Sequence, residues 1–241
     1  MKWLLCALFI AFPALASEKV IIYSQYDQRP FWYQGRGLTV DLAQVLTRKS
    51  QGRYQFEVQI TPRKRIDMIL QQADWQGLVP WSSPTWFNDQ KQQKYRWSST
   101  LFQDADLVIS KSPLDYQGSA SLHGKRLGGI LGHRYIEQEA AIAAGKIIRD
   151  DAPTQESNLK KLRSGRVDVI FMAHSAWREL EENTPNEIAG LYIGKNPRNQ
   201  YQRRLLISPN NVALIQFLEQ AVAELAKDPQ WQAKLYHYKP R

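Results

Sequence analysis

The strongest constraint on this chain is a helix-to-strand unit that occurs twice. Residues 158–172, NLKKLRSGRVDVIFM, read as a short helix that stops at Gly165 and runs straight into a strand. Residues 66–81, IDMILQQADWQGLVPW, repeat the arrangement earlier in the chain. A helix that feeds an apolar strand across a tight turn must pack on the sheet it joins, so each unit demands its own α/β layer. Two such layers predict two similar lobes with a cleft between them, an arrangement suited to enclosing a small molecule.

The pattern around those units agrees. Residues 20–23 are a short apolar strand, followed by the aromatic loop SQYDQRPFWYQGRG. Leu38, Leu42, Val45 and Leu46 recur at helical spacing, with Asp41 in the first turn. Tyr54, Phe56, Val58 and Ile60 alternate as a half-buried strand, and Thr61-Pro62 opens a helix with proline at its first position. The order βαβαβ up to Trp81 predicts a parallel sheet. The pattern restarts beyond the strand at 106–110, with strands at 126–131, 146–149 and 167–172. Helices are expected at 135–144, 157–164 and 175–181. Strand-like segments at 191–193 and 204–208 flank the polar stretch GKNPRNQYQ, and helices at 211–226 and 230–238 close the chain.

The expected division is therefore a first lobe of residues 17–109 plus 204–241 and a second of residues 110–203. The turn-rich crossings near 109–114 and 196–204 would serve as a hinge. In open α/β sheets ligands bind beyond the carboxyl ends of strands, which points at the loops after Tyr23, Trp81, Leu131 and Met172.

The first 16 residues, MKWLLCALFIAFPALA, have one basic residue, a short apolar core and an A-x-A ending. That is a cleavable export signal rather than a membrane span, which needs roughly 20 apolar residues, and Ser17 is the expected mature N-terminus. Cys6 is the single cysteine and falls within this leader. The mature chain therefore has no thiol for a disulfide, nucleophile or metal site. Loss of Lys2 lowers the net charge from +9 to +8. The basic residues are scattered as Arg63-Lys64-Arg65, Lys160-Lys161 and Arg203-Arg204, whereas nucleic-acid binding asks for one concentrated basic face. No HExxH, GxSxG or phosphate-binding glycine loop is present. His123, His133, His174 and His237 lack metal-ligand spacing, so no cofactor, metal or catalytic residue is expected.

Candidate ligand contacts come from the predicted cleft loops. Tyr26, Phe31 and Trp32 in the first loop, and Trp81 at the end of its strand, offer aromatic faces to an apolar or cationic group. Ser82 and Ser83 with Lys91 offer hydroxyls and a cation for a carboxylate. Gly132-His133-Arg134-Tyr135 sits where a helix should begin, which is an anion site by its backbone N–H groups, with Arg134 as a bidentate grip. His174 follows the strand ending at Met172.

These motifs resemble the periplasmic solute-binding proteins of family 3, the polar amino-acid type that serve ABC importers. The resemblance is carried by RPFWYQGRGLTVDLAQVL, YRWSSTLFQDADLVISK, LHGKRLGGILG, LKKLRSGRVDVIFM and DPQWQAKLYHY, in that order across nearly the whole mature chain. It implies a two-lobed α/β fold of type II-like form, with two parallel-rich sheets flanked by helices. It also implies a periplasmic monomer that captures a small polar, amino-acid-like or carboxylate-bearing ligand and presents it to a membrane permease or a sensor protein. Two departures stand out. Lys91 falls where the family's carboxylate-gripping arginine would be, and Ala173, with His174 beside it, replaces the acid that holds the α-amino group. A sensory or degenerate binding module, or a dehydratase-like enzyme using Asp27 or Asp104, are the rival expectations.

Overall fold

The computed structural model describes residues 17–238. The expected leader, residues 1–16, lies outside the described residues. The chain runs β1 (Glu18–Ser24), α1 (Leu38–Lys49), β2 (Tyr54–Ile60), α2 (Arg63–Ile69), β3 (Leu78–Ser82), β4 (Arg96–Trp97) and β5 (Phe102–Ser110). It continues through β6 (Arg126–Ile130), α3 (Glu139–Ala143), β7 (Ile148–Ala152), α4 (Gln155–Arg163), β8 (Val169–Ala173) and α5 (His174–Asn183). The last elements are β9 (Tyr192–Ile193), β10 (Asn199–Ile207), α6 (Val212–Leu225) and α7 (Pro229–Tyr236).

Local chemistry explains several helix starts. Thr154 and Asn211 accept hydrogen bonds from the backbone N–H groups of Ser157 and Leu214, satisfying donors in the first turns of α4 and α6. Asp228 does the same for α7, with Pro229 at the first helical position, where a missing N–H costs nothing. The first turn of α1 uses the preceding loop instead. Leu38 and Thr39 donate to the carbonyls of Pro30 and Phe31 at 2.9 and 2.8 Å.

The strands are ordered β2-β1-β3-β10-β5-β8-β6-β7. β1 pairs parallel with β2 and β3, and β6 pairs parallel with β7 and β8, as βαβ units require. β5 and β10 run antiparallel to each other and join the two parallel groups. The nine-residue β10 pairs with β5 through residues 199–203 and with β3 through residues 204–207, with a register shift near Arg204. The equally long β5 passes from β10 at residues 102–106 to β8 at residues 106–110.

Apolar packing follows the same division. Two clusters draw on residues 20–102 and 205–238, built around Ile22, Leu42, Trp81 and Leu218 in one and Ile66, Trp75 and Val79 in the other. The other two draw on residues 107–191, around Ile109, Leu162 and Ile170 and around Leu127, Tyr135 and Phe171.

Three expectations are corrected. The polar stretch before residue 204 is not a loop, because β10 begins at Asn199. Its backbone is satisfied by β5, and strand pairing needs no apolar side chains. The helix expected at 135–144 is a 3-10 turn at Ile136–Gln138 followed by the five-residue α3. Tyr135 and Gln138 are pulled into the core there. The Tyr135 hydroxyl accepts the Ile130 N–H at 3.1 Å, and Gln138 Nε2 donates to the Tyr116 hydroxyl at 3.0 Å. The strand expected at 146–149 lies at 148–152, where Asp150 and Asp151 take Lys161 and Arg149 as partners. Among the described residues no helix is long and apolar enough to cross a membrane, and no group of three or more His, Cys, Asp or Glu is placed to hold a metal ion.

Candidate functional site

Because strand side chains alternate, Asp104 and Asp106 of β5 project to one face of the sheet, and Tyr201 and Arg203 of β10 project to that same face. The register pairs Tyr201 with Asp104 and Asn199 with Asp106, which merges the two rows at the junction of the two halves. The loops after β1, β3 and β6 fold over that junction. Together they enclose a cavity of about 110 Å³. Tyr26, Arg63 and Trp86 line it from one half, and His133, Tyr135 and Phe171 from the other. Ligand pockets are commonly ~300–1,000 Å³, so this one is closed down around a small volume. The halves approach closely at the mouth, where a Cβ built on Gly132 would lie 3.8 Å from Lys64 Cγ.

The floor is a network of buried ions. Arg203 Nε donates to Asp104 Oδ2 at 2.7 Å, with the two side chains 1% and 0% exposed. Its Nη1 donates to the Tyr26 hydroxyl at 2.8 Å and the Trp81 carbonyl at 2.9 Å, and its Nη2 to the Tyr201 hydroxyl at 3.2 Å. Tyr201 in turn donates its hydroxyl to Asp106 Oδ1 at 3.0 Å. Arg198 Nη1 also donates to Asp106, at 2.7 Å, while its Nε and Nη2 hold Glu137. Burying an ion costs several kcal/mol unless its bonds are made, and these are made nearly completely. Burial pushes the Asp106 carboxyl up, against the pull of Arg198, and pushes the Tyr201 phenol well above its ordinary range.

The walls carry cations and one neutral imidazole. Arg63 donates through Nε to Asp67 at 2.9 Å and through Nη2 to the Trp86 carbonyl at 2.5 Å, and it stacks on Phe87 at 4.0 Å. A guanidinium has five N–H donors, so Arg63 keeps several for the cavity. Burial, followed by the charges of Arg63, Arg149 and Arg198, lowers His133 to about 4. It is therefore an uncharged donor and acceptor near neutral pH. Tyr135 is pushed up to about 12 by burial. The Gln25 side-chain amide oxygen Oε1 is buried at the wall without a protein partner. The site thus offers donors, aromatic faces and few acceptors, a chemistry for a small anion or a carboxylate.

Of the residues singled out in the sequence, Tyr26, His133, Arg134 and Tyr135 meet at the cavity. Arg134 arrives with its fork engaged, since Nε and Nη2 hold Glu139 at 2.9 and 2.8 Å. The expected helix N-terminus beside it is absent, because Tyr135 leads into a 3-10 turn and not a full helix. Phe31, Trp81 and Ser82 are core residues. Trp81 stacks near Phe31 and Phe102 and donates its indole N–H to Thr39 Oγ1 at 2.9 Å, with no face left for a ligand. Ser83 is buried, its carbonyl taken by the Trp86 N–H. Trp32 lies in a separate groove against α1 and β2. Lys91 is exposed in the turn after Asn88, outside the cavity. The His174 ring faces the Tyr238 carbonyl at 3.3 Å, and Ala173 lines the cavity in its stead.

Sequence reasoning missed Arg63, Trp86, Arg198, Tyr201 and Arg203. Arg63 looked like scattered surface charge, although it stands at the start of a helix that follows a parallel strand. Asp104-x-Asp106 and Tyr201-x-Arg203 carried a signal in their two-residue spacing, which places ionic partners on one strand face.

No family model and no curated protein matches the sequence. Solved structures do match the fold. An ancestral arginine-binding protein bound to arginine is 17% identical with a TM-score of 0.71, over 93% of this chain and 99% of that one. An arginine-specific periplasmic binding protein of Salmonella typhimurium is 13% identical with a TM-score of 0.68, over 93% and 100%. The substrate-binding protein of an amino acid ABC transporter is 15% identical with a TM-score of 0.68, over 91% and 98%. The chain has the two-lobed α/β fold of periplasmic binding proteins, the fold that the resemblance to family 3 implied.

Proposed function

We propose that this protein is a periplasmic solute-binding protein that captures a small carboxylate-bearing ligand by closing two lobes over it. The lobes follow the apolar clusters, one drawing on residues 20–102 and 205–238 and the other on residues 107–191, with β5 and β10 as the hinge between them. The observation that carries the reading is the composition of the cavity. Tyr26, Arg63 and Trp86 come from one half and His133, Tyr135 and Phe171 from the other, so a ligand touching both sets stabilises the closed form alone. Moving the population from 1:99 to 99:1 closed requires about 5.5 kcal/mol of such differential contact. Fold neighbours named as arginine-binding and amino-acid ABC-transporter proteins support the solute-binding role.

In this reading Arg63 takes the carboxylate, the neutral His133 and Tyr135 orient it, and Trp86 and Phe171 cover its apolar part. The closed monomer then docks on a membrane permease. A sensor protein as the docking partner is a second reading. Neither reading assigns catalysis, since the acids beside the cavity are tied into ion pairs.

The test is a thermal-shift and calorimetric screen of amino acids, hydroxy acids and small dicarboxylates on the mature protein. A true ligand at 100 times its Kd adds about 2.7 kcal/mol of stability. Small-angle scattering should show the molecule contract with the same ligand. Silence across the library, or binding without contraction, would sink the proposal.

A further inference from the structure

The Arg203 guanidinium is itself lodged among aromatic rings. Its carbon lies 4.6 Å from the Phe31 ring centre, 5.2 Å from those of Tyr26 and Tyr201, 5.6 Å from Trp86 and 5.7 Å from Phe102. A cation over aromatic faces is held by the ring quadrupoles, more strongly once water is excluded. With the Asp104 carboxylate and the Trp81 carbonyl as acceptors, this is a complete receptor for a guanidinium, filled by the chain's own side chain.

The acids tell the same story. Among the described residues lining the cavity, Asp106 is the single carboxylate, and Arg198 and Tyr201 already hold it. Asp104 is taken by Arg203 and Ser175, and Glu137 by Arg198. A second cation entering the cavity would meet Arg63, Arg198 and Arg203 at low dielectric with no free acid to pair.

We propose that Arg203 is the specificity-determining residue of the cleft: its guanidinium is a built-in occupant of the aromatic cage, so the cleft rejects cationic ligands and takes a small organic anion. This selectivity rests on the solute-binding reading, while the caged occupant stands apart from it.

Two measurements test it. The first is calorimetry of the wild-type protein against L-arginine and agmatine on one side and succinate and glutarate on the other. The anions should bind at least about tenfold more tightly. L-Arginine binding as tightly as either dicarboxylate overturns the selectivity while leaving a solute-binding role intact. The second is chemical rescue. Arg203→Ala should lower Tm by roughly 10 °C, because it strands the Asp104 carboxylate. Millimolar ethylguanidinium should recover several degrees of that loss, ethylammonium less, and neither should move the wild type. A folded Arg203→Ala protein indifferent to ethylguanidinium overturns the caged occupant. Should the variant fail to fold, the wild-type calorimetry decides alone. Rescue of the variant with a wild type silent toward all four probes supports the caged occupant and counts against the solute-binding reading.

Discussion

Ser175, the second residue of α5, donates its hydroxyl to Asp104 Oδ2 at 2.7 Å, and its backbone N–H to Asp104 Oδ1 at 3.2 Å. The same carboxylate takes Arg203, which reaches on to Tyr26 and the Trp81 carbonyl. One buried acid on β5 thus ties the start of a helix in one half to the aromatic loop of the other. Ser175→Ala is expected to cost about 1–3 kcal/mol, the penalty for leaving a buried acceptor short of a donor. Asp104→Ala is expected to cost about 3–5 kcal/mol, because it leaves Arg203 buried and unpaired. Urea denaturation of both and of the double variant checks this. Strictly additive losses would mean that the two groups do not share one network.

His133 sets a pH dependence. Its folded pKa is about 4, below the ordinary 6.5, through burial and then the charges of Arg63, Arg149 and Arg198. Between those values the unfolded chain binds the proton that the folded chain refuses. Stability attributable to His133 is therefore full above about pH 6.5 and is lost as pH falls toward about 4. His133→Asn should flatten the stability-versus-pH curve over that window. By NMR the wild-type ring should remain neutral at about pH 5.5, and a titration midpoint near the model-peptide value would contradict it.

Much of the fold was legible because hydrophobic period and turn chemistry are local. The alternation in β2 and the helical spacing of Leu38, Leu42, Val45 and Leu46 in α1 read directly from the chain. The site was less legible, because its chemistry is assembled from polar residues on strands that pair only in three dimensions. Arg203 sits 99 residues from Asp104, and the two-residue spacing around each shows a shared strand face but not which strand it meets. Trp81 misled for the opposite reason. It ends a strand, where a cleft residue belongs, but a positive φ of 58° and the Thr39 hydroxyl turn its ring into the core.

Gly37 carries a backbone requirement at the start of α1. Its φ is +114°, and a Cβ there would stand 2.8 Å from the carbonyl oxygens of both Pro30 and Phe31. Those carbonyls are the ones that cap α1, so they cannot withdraw without freeing the Leu38 and Thr39 N–H groups. Gly35, two residues away, also has a positive φ of 75°, but its Cβ would meet nothing within 4 Å. Gly37→Ala should therefore cost about 1–3 kcal/mol and clearly more than Gly35→Ala, by thermal or urea unfolding. Equal costs would mean that φ alone matters and the carbonyl contact does not.

Trp81→Ala should behave as a core deletion. The side chain is fully buried among Phe31, Phe102 and the Thr39 hydroxyl, so its loss should cost about 3–5 kcal/mol in stability. Ligand affinity of the folded fraction should change much less than stability. Calorimetry below the lowered Tm separates the two effects.

Arg63 and Arg134 make opposite predictions from neighbouring places in one cavity. Arg134 spends its Nε and Nη2 on Glu139 and is 56% exposed, so it resembles a surface ion pair. Arg63 is 16% exposed, is braced by Phe87, Asp67 and the Trp86 carbonyl, and keeps its Nη1 group for the cavity. A charge-assisted hydrogen bond is worth ~1.5–3 kcal/mol, so Arg63→Gln should weaken carboxylate binding by roughly 10- to 150-fold. Arg134→Gln should weaken it by less than about fivefold. Both variants should unfold within ~1 kcal/mol of the wild type, because each lost ion pair is at least partly solvated. Isothermal titration with whichever small carboxylate binds the wild type compares them directly. A larger loss from Arg134 than from Arg63 would move the anion to the rim of the cleft and away from the wall formed by α2.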